Sequence, residues 1–146
     1  MGLIEEKYET ISDAFESLRK SIALVCRAAQ THNRYPEEEI LAFRDSLIQR
    51  FEYCVDLAWK YLKEYLESEL QVVPQLVSPK HVIRASAKAA MISEKEAEAF
   101  MEMIEARNKT SHIYREEIAE MLRDAIPAYY EAMWRVVQRL SPKTDL

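Results

Sequence analysis

The sequence predicts an all-α fold, an up-and-down four-helix bundle with one additional short helix. Three observations carry this. The chain of 146 residues contains a single glycine, Gly2. Apolar residues recur at helical spacing along most of its length. Proline–acid and serine–glutamate signals stand where those stripes begin. A chain without internal glycine has no backbone for a P-loop, a GxGxxG turn or a GxSxG nucleophile elbow. It also lacks the tight primed turns that β-hairpins favour. Nucleotide-binding α/β folds and serine hydrolases are thereby excluded.

The elements follow in order. Ile4, Tyr8, Ile11, Phe15, Leu18, Ile22, Val25 and Ala29 alternate spacings of four and three. This is a heptad stripe on a first helix about 40 Å long. Such a stripe serves either an internal seam or an intersubunit one. The polar stretch Thr31-His32-Asn33-Arg34-Tyr35-Pro36 ends it. Pro36 with Glu37, Glu38 and Glu39 opens a second helix, with the acids set against its dipole. Its inward stripe is Leu41, Ile48, Phe51, Val55, Ala58, Leu62 and Leu66. Val72 to Val77 reads as an apolar connector. Ser78-Pro79 starts a short third helix reaching about Ala90. Ser93-Glu94-Lys95-Glu96 reads as a capping box for a fourth, with Ala97, Phe100, Met101 and Ile104 inward. Asn108-Lys109-Thr110-Ser111 breaks it, because these side chains readily bond their own backbone. The fifth helix turns Ile118, Leu122, Ala125, Tyr129, Met133, Val136 and Leu140 inward, and Pro127 is expected to kink or split it. Residues 1–140 are thus expected to form one domain, and 141–146 a flexible tail.

Charge and cysteine usage bound the function. The formal net charge is −5, so any polyanion site has to be local. Cys26 and Cys54 sit in helical patterns and form neither a CxxC nor a disulfide framework, as expected in a reducing cytoplasm. The acidic start MGLIEEKYE is unlike a secretory leader, and Glu6 stands where myristoylation wants Ser or Thr. No apolar run approaches the roughly 18 residues of a membrane span. The three histidines include no Glu-x-x-His or HExxH pattern, so neither a resident metal nor a cofactor is expected. Glu52 and Asp56 share a helix face and can hold a cation; the plainer reading is a pair neutralised by a neighbouring arginine.

Positive charge is clustered. No acid occurs from Leu70 to Ser93, where Lys80, Arg84 and Lys88 recur every fourth residue beside His81. A second acid-free window, Arg107 to Arg115, contains Lys109 and His112. Local clusters of this kind suit phosphate or RNA; a solubilising face is the plainer reading. On an unbroken helix Arg107 and His112 would point about 140° apart. The break between them allows both to face one cleft. There a neutral imidazole serves as general base and a guanidinium grips phosphate, a metal-free kit for cleaving RNA through its own 2′-hydroxyl. A capping histidine and a salt-bridged arginine are the alternative.

Three blocks of sequence also resemble a known family. Arg44-Asp45-Ser46-Leu47-Ile48-Gln49-Arg50-Phe51-Glu52-Tyr53-Cys54-Val55-Asp56-Leu57-Ala58-Trp59-Lys60 resembles the signature of the nucleotidyltransferase substrate-binding proteins, a branch of the HEPN superfamily. Ser78 to Arg84 and Ala106 to Tyr114 match its other two blocks in the same order, and the likeness spans roughly residues 10 to 140. The resemblance implies a helical homodimer whose two R-x4-H motifs meet in a cleft between subunits. It implies a metal-independent endoribonuclease of the HepT-like toxins, paired with an MNT nucleotidyltransferase antitoxin that transfers AMP to the tyrosine of R-x4-H-x-Y. Carried onto this chain, Arg107 and His112 are catalytic with Asn108 in support, and Tyr114 is the AMPylation site. Adenylylation two residues from His112 would put bulk and negative charge at the phosphate site. Two positions depart from the family pattern: Arg115 stands where an acid is common, and Phe100 where a tryptophan is expected. Arg115 thereby joins the basic window.

Three functions follow as expectations. One is the ribonuclease toxin with its MNT partner, cytoplasmic and acting on RNA. The second is a noncatalytic subunit that presents substrate to a separate nucleotidyltransferase. The third is a plain helical dimer with an unrelated partner. The chain is not itself the nucleotidyltransferase, which needs a Gly-Ser loop and paired aspartates.

Overall fold

The structure, a computed structural model, describes residues 2–31, 34–74 and 77–142. His32 and Asn33 of the first loop, Gln75 and Leu76 of the connector, and residues 143–146 of the expected tail lie outside the described residues. The described chain is all-helical: α1 (Leu3–Gln30), α2 (Glu37–Ser68), α3 (Pro79–Lys88), α4 (Glu94–Asn108), one 3-10 turn (Thr110–His112) and α5 (Glu116–Arg139).

Local signals set most of these boundaries. Ser78 Oγ accepts from the His81 N–H and Pro79 occupies the first turn of α3. At α4 the capping box is complete: the Glu96 N–H donates to Ser93 Oγ at 3.1 Å and the Ser93 N–H to Glu96 Oε1 at 2.9 Å. α3 stops at Lys88, short of Ala90, because the chain turns there into a left-handed residue, Ala90 at φ 57°. The Met91 N–H then donates back to the Ser86 carbonyl at 3.0 Å, the long bond of a Schellman closure made without glycine.

Cross-helix contacts fix the directions. Lys7 meets Glu64, Tyr8 meets Tyr61 and Arg50 meets Ser17, so α1 and α2 are antiparallel. Arg44 meets Glu116, Phe51 stacks on Tyr129 and Tyr61 reaches Leu140, so α5 runs parallel to α2. α4 runs against α5, with Glu96 at Arg139 and Glu102 near Tyr129. The bundle is therefore up-and-down, with α3 a short bridge between α2 and α4. α2 touches every other element.

The core is the seam this order creates. Phe15, Leu18, Leu47, Phe51, Leu62, Met103, Ile126 and Met133 are fully buried, each contributing about 1.5–3 kcal/mol relative to exposure. Two of its polar groups are bonded to the backbone: Tyr61 Oη donates to the Leu140 carbonyl at 2.6 Å and the Cys54 thiol to the Ala14 carbonyl at 3.3 Å. Burial pushes that thiol up to about 12, which leaves it an inert core group.

Two expectations are corrected. At the end of the α1 stripe Ala28 is buried and Ala29 exposed: the face that α1 buries there is set by what packs against it and not by the repeat. Pro127 does not split α5, which is continuous from Glu116 to Arg139. Pro127 is exposed, so it sits on the solvent side of the helix and away from the core. The inward faces are also wider than the predicted stripes: Met103 and Ala106 are buried on α4, while Ala97 and Met101 are half-buried.

Candidate functional site

The segment from Arg107 to Tyr114 is the hinge between the last two bundle helices. α4 ends at Asn108, and Lys109 leaves it in a helical conformation that tightens into the 3-10 turn. The His112 N–H donates to the Lys109 carbonyl at 2.9 Å and the Arg115 N–H to the His112 carbonyl at 3.0 Å. Arg115 occupies the N-cap of α5 with no side-chain cap bond, and its guanidinium pairs with Glu117. Thr110 is the internal anchor, only 6% exposed. Its Oγ1 lies 2.8 Å from the Arg107 carbonyl and 2.7 Å from Glu52 Oε2, sharing one proton between two acceptors.

Arg107 reaches across to α2. Its Nε donates to Asp56 Oδ1 at 3.0 Å and its Nη2 to Asp56 Oδ2 at 3.1 Å, a bidentate pair. Nη2 also lies 3.2 Å from Glu52 Oε1, and Nη1 donates to Thr110 Oγ1 at 3.4 Å. The bond to Asp56, reinforced by the charges of Asp56 and Glu52, holds the guanidinium above its ordinary pKa. The expected neutralisation of Glu52 and Asp56 by an arginine is thus found, and the arginine is Arg107. On their other flank the same two carboxylates line a groove of about 400 Å³ between α1 and α2, with Gln49, Arg50 and the exposed Tyr53.

His112 and Tyr114 face solvent instead. Tyr114 is 78% exposed, the most exposed large apolar-bodied side chain described. Its Oη stands 3.5 Å from His112 Nδ1, with the rings nearly perpendicular at 6.0 Å. No hydrogen bond joins Arg107 to His112 among the described residues; the hinge brings Arg107 to α2 and His112 to Tyr114. Asn108 and Lys109 are exposed on the last turn of α4 and just beyond it.

The basic stripe on α3 is less free in space than in sequence. Lys80 pairs with Glu105 of α4, whose carboxyl is held below its usual range by Lys80 and, more weakly, by Lys109. Glu105 therefore lies between two lysines from the two acid-free windows. Arg84 and Lys88 are exposed and share a shallow groove with Glu94 and Glu98 of α4. The described residues include no group of three or more His, Cys, Asp or Glu able to hold a metal, and no helix is long and apolar enough to cross a membrane.

Two residues here lie beyond what spacing indicated. Thr110 stands out only through its burial. Arg44, 7% exposed, forks onto Glu116 with Nη1–Oε1 at 2.6 Å and Nη2–Oε2 at 3.1 Å. This pins the start of α5 to α2, so the segment is tied down at both ends.

A family model described as nucleotidyltransferase substrate binding protein like matches residues 13–142. The chain belongs to this family. A Thermus thermophilus protein is 30% identical, with 86% of this chain and 99% of that one covered and a TM-score of 0.66. The fold is also that of a Haemophilus influenzae protein described as the substrate binding domain of a nucleotidyltransferase: 19% identity, 92% and 99% coverage, TM-score 0.80. A Shewanella oneidensis HEPN toxin, tri-AMPylated and in complex with an MNT antitoxin, matches at 14% identity, 94% and 96% coverage and TM-score 0.65. No curated protein matches the sequence.

Proposed function

We propose that this family member is a HEPN toxin: a homodimeric, metal-independent endoribonuclease held in check by an MNT nucleotidyltransferase that adenylylates Tyr114. The observation that carries the reading is the surface placement of the His112–Tyr114 pair, one hinge away from Arg107, on a chain of this family. The fold shared with an AMPylated toxin supports it.

In this reading His112 takes the proton of an RNA 2′-hydroxyl as its oxygen attacks the adjacent phosphorus. The bond to the 5′-oxygen breaks, leaving a cyclic phosphate, and the leaving oxygen is protonated. Arg107 stabilises the charge growing on the phosphoryl oxygens. Asn108 supports this site, while Lys80, Arg84, Lys88, Lys109 and Arg115 track the backbone of the strand. For silencing, the Tyr114 phenol attacks the α-phosphorus of ATP held by the partner. Pyrophosphate leaves, and the phenolic proton passes to a base, for which His112 Nδ1 is at hand. The attached AMP then occupies the phosphate site with its own charge.

The test is cleavage of RNA by the purified protein in excess chelator. Activity in the native chain and none in His112→Ala is expected; cleavage surviving in that variant removes His112 from catalysis. Incubation with the partner and ATP should add AMP units at Tyr114, and a Tyr114→Phe protein modified equally well shows the site to be elsewhere. The second reading, a noncatalytic subunit presenting substrate to a nucleotidyltransferase, is favoured by one observation: Arg107 is already engaged by two carboxylates. A chain inert toward RNA that raises its partner's turnover on a third molecule selects it.

A further inference from the structure

A guanidinium has five N–H donors and two edges able to grip an oxyanion with two parallel bonds. In Arg107 the first edge, Nε with Nη2, is filled by Asp56. The second edge, Nη1 with Nη2, is the one left for a phosphate. Glu52 Oε1 sits 3.2 Å from Nη2 and takes half of it, and Nη1 reaches Thr110 Oγ1 in a long bond of 3.4 Å. Glu52 is itself steadied, because its other oxygen accepts from Thr110, a buried side chain also anchored to the Arg107 carbonyl. Two carboxylates face one guanidinium, so the cluster is net negative where a polyanion has to approach.

The geometry points to opposite roles for the two acids: Asp56 is a positioning residue that aims Arg107, and Glu52, latched by Thr110, covers the edge with which Arg107 takes phosphate. The inference rests on the reading of Arg107 as an anion-binding group. Anion binding then requires Glu52 to swing off Nη2, while Asp56 stays. Glu52 is suited to move, since its side chain is 38% exposed and beside the open α1–α2 groove. Asp56, with both oxygens committed to one fork, holds the guanidinium plane in place.

The experiment uses the full chain and a fluorescent 2′-O-methyl oligoribonucleotide, which lacks the attacking hydroxyl and stays intact. Binding is read by anisotropy across a salt series for the native protein, Glu52→Gln, Asp56→Asn, Asp56→Glu, Arg107→Gln and the Glu52→Gln/Arg107→Gln double variant. Thermal melts verify that each is folded. Glu52→Gln should bind about three- to tenfold more tightly, with a salt slope steeper by about 0.7, one added phosphate contact on a single strand. The gain should vanish in the Arg107→Gln background, as a coupled pair requires. Asp56→Asn should fall to the level of Arg107→Gln, with part of the loss recovered in Asp56→Glu.

An equal gain in both backgrounds is a general surface-charge effect and overturns the latch. So does weaker binding by Glu52→Gln, which would make Glu52 a second positioning residue, and so does an absence of binding by every protein. Cleavage of ordinary RNA by the same variants separates this inference from the ribonuclease reading. A coupled gain in binding with no cleavage anywhere retires the nuclease and keeps the latch; cleavage lost only in His112→Ala, with no effect of Glu52→Gln on binding, does the reverse.

Discussion

Two arginines flank the hinge, and they are built differently. Arg44 is almost wholly buried and forks onto Glu116, with Asp45 3.9 Å from its Nε. Arg107 has a side chain 30% exposed and faces two carboxylates, one of them steadied by a threonine. The first ties α5 to α2 and has no edge turned toward solvent. The second lies at the open side of the bundle, where its partners compete with any anion that arrives. The difference teaches that an ion pair's surroundings indicate its role better than its length does: a buried guanidinium makes a staple, a partly exposed one a responsive site.

The comparison breaks if the two arginines respond alike. Arg107→Ala should cost RNA cleavage about 10²–10³-fold, the scale of removing a transition-state donor, with the urea midpoint little changed. Arg44→Ala should do the opposite, lowering the urea midpoint while leaving cleavage near the native level. If Arg107→Ala unfolds the chain and Arg44→Ala silences it, the roles assigned here are exchanged.

Acid titration sharpens the same contrast. Arg44 holds the Glu116 carboxyl below its usual range, and Arg139 with the capping box holds Glu96 at about 2 against an ordinary 4.5. Both folded-state pKa values are depressed, so each pair stabilises fully above the ordinary carboxylate value and loses its contribution as pH falls through the lowered one. For Glu96 that window runs from 4.5 down to about 2. Glu96→Gln should therefore flatten the stability profile in that window and leave it unchanged in shape near neutrality, as followed by melts across pH.

The smallest effect expected is at a turn that uses no ions. Ala90 holds φ 57°, a left-handed conformation that a Cβ disfavours. Ala90→Gly relieves that and loses some of the gain to the greater freedom of the unfolded chain, for a net rise of about 0.5 kcal/mol. A loss of stability would mean that the Ala90 methyl contributes packing.

Much of the fold is legible in the residues because its determinants are local. Ser78-Pro79 and the Ser93–Glu96 capping box act within one turn, and the apolar stripes repeat every turn, so helix order and facing follow from short-range chemistry. Legibility ends where packing chooses the face: at the end of α1 Ala28 is buried in place of Ala29, although Ala29 continues the repeat. Pro127 is tolerated because it happens to face outward. In the site, the chemistry-bearing residues and the break between Arg107 and His112 are visible in sequence, as is the tendency of Glu52 and Asp56 to find an arginine. Their partners are not. The acid-free windows contain no acid along the chain, yet Glu105 arrives beside Lys80 from the neighbouring helix.

The residues alone determined which helices form, where they begin and which side chains are available for chemistry, since backbone bonding and periodicity act over a few residues. The tertiary structure decided which edge of Arg107 is occupied and that His112 and Tyr114 stand clear of it. Those outcomes depend on the axial offset of α4 against α2, set by the packing of side chains far apart along the chain.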